Sequence, residues 1–177
     1  KFVAVLAATA LAASPNLIVN GGFEDHALDA CGNRKWCHIT DPTFAAIAPW
    51  KVTSANKKFE IDKKVWSPNS DKPYTISQTI ATVPGKHYVF KVALNQNRCQ
   101  ADGKKLSVDI TGQETHNFTH NKSPGPFTSD WHQLKFQFVA TSAESVVSLS
   151  DAGPSNLSCG PVVDDVEVRE IPKCAAK

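Results

Sequence analysis

The stretch His87-Tyr88-Val89-Phe90-Lys91-Val92-Ala93-Leu94 decides the fold. Tyr88, Phe90, Val92 and Leu94 recur at every second position, the period of a half-buried β-strand, and no helical stripe fits them. Working outward, the same rhythm returns in Leu106, Val108 and Ile110, in Leu134, Phe136 and Phe138, and in Val147 and Leu149. Further strands are expected over Leu17–Asn20, Trp50–Thr53, Phe59–Asp62, Tyr74–Thr82 and Val162–Glu170, about nine in all. Between them lie Pro84-Gly85, Ala101-Asp102-Gly103, Ser123-Pro124-Gly125-Pro126 and Ala152-Gly153-Pro154, which carry the residues that turns demand. The expectation is an all-β, two-sheet antiparallel sandwich, the natural way to bury one face of each strand at this length.

With 177 residues the chain supports one core and not two ordinary domains. Lys1, the apolar run Phe2–Leu11 and the small residues Ala12, Ala13 and Ser14 have the order of a secretory signal peptide lacking its initiator Met. The expected organisation is therefore a signal peptide over 1–14, cut just after Ala12 or a residue or two later, a single sandwich over 15–171, and a tail over 172–177. The mature chain is expected to be soluble and secreted, to the extracellular space or cell wall. No later segment is long and apolar enough to span a membrane. A net charge of +2, scattered along the chain, gives no electrostatic case for nucleic acid.

Five cysteines fit an oxidising compartment. Cys31 and Cys37 flank the polar loop Gly-Asn-Arg-Lys-Trp as a local staple, and Cys99 and Cys159 sit in loop-like contexts that a second bridge would join. Cys174 is then left free, paired between chains, or exchanging places in this scheme. The C-x₅-C spacing and scattered histidines do not match a zinc site. Asn117, Asn121 and Asn156 begin Asn-x-Ser/Thr acceptors for N-glycosylation.

In chain order, Asn16-Leu17-Ile18-Val19-Asn20-Gly21-Gly22-Phe23-Glu24, Pro49-Trp50, Ile76-Ser77-Gln78-Thr79, Val83-Pro84-Gly85-Lys86-His87-Tyr88, Trp131 ahead of Phe136–Ala140, and Val163-Asp164-Asp165-Val166-Glu167-Val168 form one pattern. This pattern resembles the DUF642 proteins and the related family 4/9/22-type carbohydrate-binding modules, and it runs from about Asn16 to Glu170. The resemblance implies a galactose-binding-like jelly roll with first and last strands side by side. It also implies a structural Ca²⁺ held by Gly22, Glu24 and Asp164, and core positions for Trp50 and Trp131. Independently, strict alternation puts Asp164 on one face with Val162, Val166 and Val168, where a carboxylate needs a hydrogen bond, a partner or a metal.

Sugars present flat C–H faces that aromatic rings stack upon, with amides and charged groups beside them for the hydroxyls. Trp36, Trp66 and Tyr74 are the expected platform, with Asn95, Asn97 and Arg98 as polar helpers. Gln78 is either such a helper or a satisfied core amide. No G-x-S-x-G, H-E-x-x-H or phosphate-cradling loop is present. Glu24, Glu60, Asp62, Asp109 and Asp164 offer carboxylates, but the first and last are better explained as metal ligands. His87, His116, His120 and His132 read as surface or loop residues. The expected function is a non-catalytic reader of a cell-wall polysaccharide or glycan; the rival is a module of the same fold whose partner is a protein, such as a cell-wall protein.

Overall fold

The computed structural model describes residues 14–24, 36–39, 47–53, 59–62, 65–67, 75–96, 104–120, 131–153 and 160–172. Eleven strands form two antiparallel sheets. They are β1 (Trp36–Ile39), β2 (Lys51–Thr53), β3 (Phe59–Asp62), β4 (Val65–Ser67), β5 (Thr75–Ala81), β6 (His87–Gln96), β7 (Lys104–Ile110), β8 (His116–His120), β9 (His132–Val139), β10 (Glu144–Asp151) and β11 (Pro161–Glu170). One sheet runs β1-β3-β4-β11-β6-β9 and the other β2-β5-β10-β7-β8. No α-helix occurs among the described residues.

Alternation does what the sequence pattern implied. Tyr88, Phe90, Val92 and Leu94 of β6 are all buried and pack with Leu106, Val108 and Ile110 of β7 and Val147 and Leu149 of β10. Aromatic pairs add to this core: Tyr88 stacks on Phe138 at 5.4 Å between ring centroids, and Phe90 on Phe136 at 5.0 Å. β5 crosses to β6 in the other sheet through the turn Val83-Pro84-Gly85-Lys86, closed by Lys86 N–H donating to Val83 C=O at 3.1 Å. Proline presets the first corner, and Gly85 supplies the positive φ of 77° that the second requires.

Three short strands were not anticipated: β1, β4 and β8. The converse difference is at the N-terminal side, where Leu17–Asn20 is not a strand. The segment does lie beside β11, as Leu17 N–H donates to Val168 C=O at 2.8 Å and Val166 N–H to Gly21 C=O at 3.0 Å. Between those points side chains replace the ladder. Asn16 Oδ1 accepts from Val168 N–H and Ile18 N–H, and its Nδ2 donates to Val166 C=O. Asn20 and Phe23 have φ of 53° and 51°, which breaks the extended path.

Gln78, 3% exposed, is a satisfied core amide. From β5 its Nε2 donates to Val19 C=O at 2.9 Å while its Oε1 accepts Val19 N–H at 2.8 Å. It thereby ties the opening segment, which borders one sheet, to the other. Trp50 completes the anchorage: it is 2% exposed, stacks on Phe23, and donates its indole N–H to Asn20 C=O at 3.0 Å. Trp131 is half-buried.

Candidate functional site

The opening segment and β11 together bring Gly22, Glu24 and Asp164 to one place, by a route the alternation did not foresee. The pairing of β11 with β6 slips between Asp164 and Glu167, and Asp165 takes a φ of 48°, so a β-bulge interrupts the strand. Val163, Val166 and Val168 consequently form its core-facing set. Asp164 does not share their face as strict alternation required; it sits half-buried at the bulge. There its Oδ1 accepts Asp165 N–H at 2.7 Å. A Cβ placed on Gly22 would lie 3.7 Å from Asp164 Oδ1, 3.7 Å from Glu24 Cγ and 3.8 Å from Asp165 Oδ1.

Burial, chiefly, pushes the Asp164 carboxyl up to about 6; the Asp165 amide opposes this, and the Asp165 and Glu24 carboxylates add to it. The donors are all oxygens and their charges repel, which suits a hard cation such as Ca²⁺. Among the described residues no three acidic, His or Cys side chains already stand close enough together to hold a metal. An ion here would need backbone carbonyls and water in addition to Glu24, Asp164 and the carbonyl of Gly22. Asp165 was missed in the sequence, although the Asp164-Asp165 pair was its signal.

The aromatic positions singled out in the sequence fall on the other half of the same sheet. Trp36 on β1 shares a cross-strand row with Asp62 and Val65, and Trp66 on β4 shares the next row with Ile61 and core-facing Val163, so the two positions lie on opposite faces of the sheet and do not form the single platform expected. Asn95 on β6 is opposite Val162 and only 5% exposed, so its amide is enclosed. Tyr74, Asn97 and Arg98 lie outside the described residues, as do Cys31, Cys99, Cys159, Cys174, Asn121 and Asn156. Asn117 is exposed on β8.

His87, His116, His120 and His132 are strand residues and not loop residues. His120 is moreover 5% exposed, with its ring edge-on at 4.7 Å to that of His132, which is exposed. Beside them His116 stacks on Phe136 at 3.7 Å.

A cavity of about 410 Å³ opens at the end of the sandwich where the opening segment meets the end of β11. Leu17, Ala81, Val83, Tyr88, Glu170 and Pro172 line it. Lys86 Nζ stands 2.7 Å from Glu170 Oε1, and this carboxylate holds the lysine above its ordinary value. The Tyr88 hydroxyl accepts Val83 N–H at 2.9 Å. The sequence pattern held Val83, Lys86 and Tyr88 in one motif but gave no sign that Leu17, Ala81, Glu170 and Pro172 would close a cavity around it.

Residues 70–169 match the family model described as protein of unknown function (DUF642). The chain belongs to the DUF642 family. An Arabidopsis thaliana relative, Protein DUF642 L-GALACTONO-1,4-LACTONE-RESPONSIVE GENE 2, is 26% identical over 89% of this chain and 47% of its own length. The chain spans less than half the length of the curated relatives it matches. Among solved structures, a CBM4 carbohydrate-binding module superposes with a TM-score of 0.51 at 16% identity, over 87% of this chain and 99% of the module. A family 16 carbohydrate-binding module superposes with a TM-score of 0.50 at 14% identity, over 86% of this chain and 99% of the module. These likenesses establish the sandwich fold of this DUF642 domain. The matched stretch contains the bulge of β11 and the cavity residues Ala81, Val83 and Tyr88.

Proposed function

We propose that this DUF642 chain is a secreted, non-catalytic carbohydrate-binding domain that reads a cell-wall polysaccharide or glycan, with a structural Ca²⁺ at Gly22, Glu24 and Asp164. The observation that carries the reading is the fold: two antiparallel sheets that superpose on carbohydrate-binding modules over nearly their whole length. The carboxylates gathered at the β11 bulge support a calcium role in stability, because like charges there need a counter-cation. Such an ion would pin the opening segment to β11 without taking part in sugar recognition. Of the aromatic positions, Trp36, on the face of the sheet opposite to that of core-facing Val163, is the proposed stacking residue. Tyr74, Asn97 and Arg98 complete the proposed set from the sequence.

The test is retention of the chain on insoluble cellulose, chitin, β-glucan, xylan and pectin, with and without EDTA. Retention on one polymer that survives EDTA and is lost in Trp36→Ala is the expected result. Passage through all of them unretained refutes the polysaccharide reading.

A further inference from the structure

The end cavity has a chemistry of its own. Its walls are aliphatic, from Leu17, Ala81, Val83 and the prolines Pro15 and Pro172. Val83 is 51% exposed, an apolar side chain left facing solvent at the mouth. The volume of about 410 Å³ lies within the usual range of small-ligand sites, roughly 300–1,000 Å³. The polar residues of the lining are Ser14, Tyr88 and Glu170; Ser14 Oγ donates to Glu170 C=O at 2.7 Å, and Lys86 reaches the Glu170 carboxylate from beside the lining. The Tyr88 oxygen already accepts the Val83 amide, and among the described residues no acceptor takes the phenol proton. Lys86 and Glu170 meet at 2.7 Å, with both side chains partly exposed.

Each group matches a different part of one ligand. An aliphatic pocket excludes water and favours a methyl group over a bare hydroxyl. A phenol that can only donate further matches an acceptor without a proton, such as an amide or ester carbonyl. A lysine ammonium keeps donors, and a carboxylate keeps lone pairs, after pairing with one another. Together they match neighbouring hydroxyls, each of which both donates and accepts. The carboxylate of Glu170 at the same place disfavours an anionic sugar by like-charge repulsion.

We propose that this cavity binds an acetylated sugar residue, taking the acetyl methyl between Leu17, Ala81 and Val83, its carbonyl at the Tyr88 hydroxyl, and ring hydroxyls at the Lys86–Glu170 pair. The proposal rests on the carbohydrate-binding reading and assigns it a site distinct from Trp36 and Trp66. N-acetyl groups of chitin-type chains and O-acetyl groups of hemicelluloses share this chemistry.

The experiment is calorimetric titration of the full chain with two matched pairs. One pair is chitohexaose and its fully deacetylated counterpart; the other is acetylated xylan oligosaccharide before and after alkaline deacetylation. The expected result is that the acetylated member of one pair binds at least about tenfold more tightly, and which pair responds names the source of the acetyl group. Ala81→Trp, at an exposed strand end, fills the cavity and abolishes that preference without shifting the thermal midpoint. Glu170→Gln, which keeps the side-chain shape, lowers affinity for the same ligand about tenfold. Equal affinity within both pairs overturns the proposal, as does an unchanged preference in a folded Ala81→Trp or, should that variant misfold, in Glu170→Gln. Retention on a polymer without acetyl preference overturns the cavity assignment alone, whereas absence of retention on every polymer overturns the carbohydrate reading with it.

Discussion

Replacing Gly21 by alanine drives a methyl group into the last strand. The added Cβ would stand 2.1 Å from the carbonyl oxygen of Val166, 3.1 Å from its carbon and 3.2 Å from Ile18 Cγ2. Ordinary contact begins at 3.4 Å, so the opening segment and β11 must part by about 1.3 Å. The atoms involved are backbone, which cannot swing aside as a side-chain tip would. Parting by that distance takes Val166 N–H out of reach of Gly21 C=O, now 3.0 Å away, and loosens the Asn16 bond to Val166 C=O. Overpacking costs about 1–3 kcal/mol and a buried amide deprived of its acceptor a similar amount, so Gly21→Ala should lose about 2–6 kcal/mol. That is a large share of the roughly 5–15 kcal/mol that holds a domain together. Urea unfolding followed by tryptophan fluorescence measures it directly. Gly85→Ala is the control, with nothing within 4 Å of its added Cβ but a positive φ, and should cost only about 1–2 kcal/mol. A Gly21→Ala protein as stable as Gly85→Ala, or more so, refutes the close-approach argument.

Gln78→Leu removes both partners of the Val19 backbone; solvent can replace part of the loss because Val19 is 58% exposed, so about 1–2 kcal/mol should go, read by urea unfolding. Trp50→Ala should cost about 3–5 kcal/mol in the same assay, since it empties a core position and orphans Asn20 C=O. In EDTA, the raised Asp164 carboxyl makes the folded state favour the protonated form. Its contribution is therefore fully present below pH 4 and lost as pH rises through about 6. The shift, from 3.8 to about 6, sets a ceiling of about 3 kcal/mol, which solvent screening at this half-exposed group reduces to roughly 1 kcal/mol. Thermal melts between pH 4 and 7 should show that decline in the wild type and a flatter profile in Asp164→Asn. On the calcium reading, added Ca²⁺ raises the midpoint more at pH 7 than at pH 5, and Asp164→Asn removes the increment.

The parts of this fold that can be read from residues alone are those where side-chain pattern and backbone geometry agree. β6, β7 and β10 bury every second residue, and β9 turns Phe138 and the partly buried Leu134 and Phe136 to the same core, so period-two hydrophobicity reports them faithfully. β8, with the sequence His-Asn-Phe-Thr-His, has one apolar residue in five and is a strand because β7 offers it an open edge. That reason lies in another segment and leaves no mark on its own composition. β4 is three residues paired to β11 at Val163, too short for periodicity to register.

The bulge of β11 is the same problem at a single residue. Val162, Asp164, Val166 and Val168 satisfy perfect alternation as a string, yet the extra residue at Asp165 shifts the register and hands the core face to Val163, Val166 and Val168. Asp164 nonetheless lies beside Gly22 and Glu24, because proximity of the two terminal segments survives a local slip whereas orientation does not. A bulge and a side-chain-mediated junction serve one end here. Asn16 and Gln78 spend their amides on backbone groups that a regular strand would have used, and the chain gains a carboxylate pocket where a flat ladder would have left none. The departures from regular β-structure therefore coincide with the place proposed for the metal, which is where consistency across local rules is expected to give way.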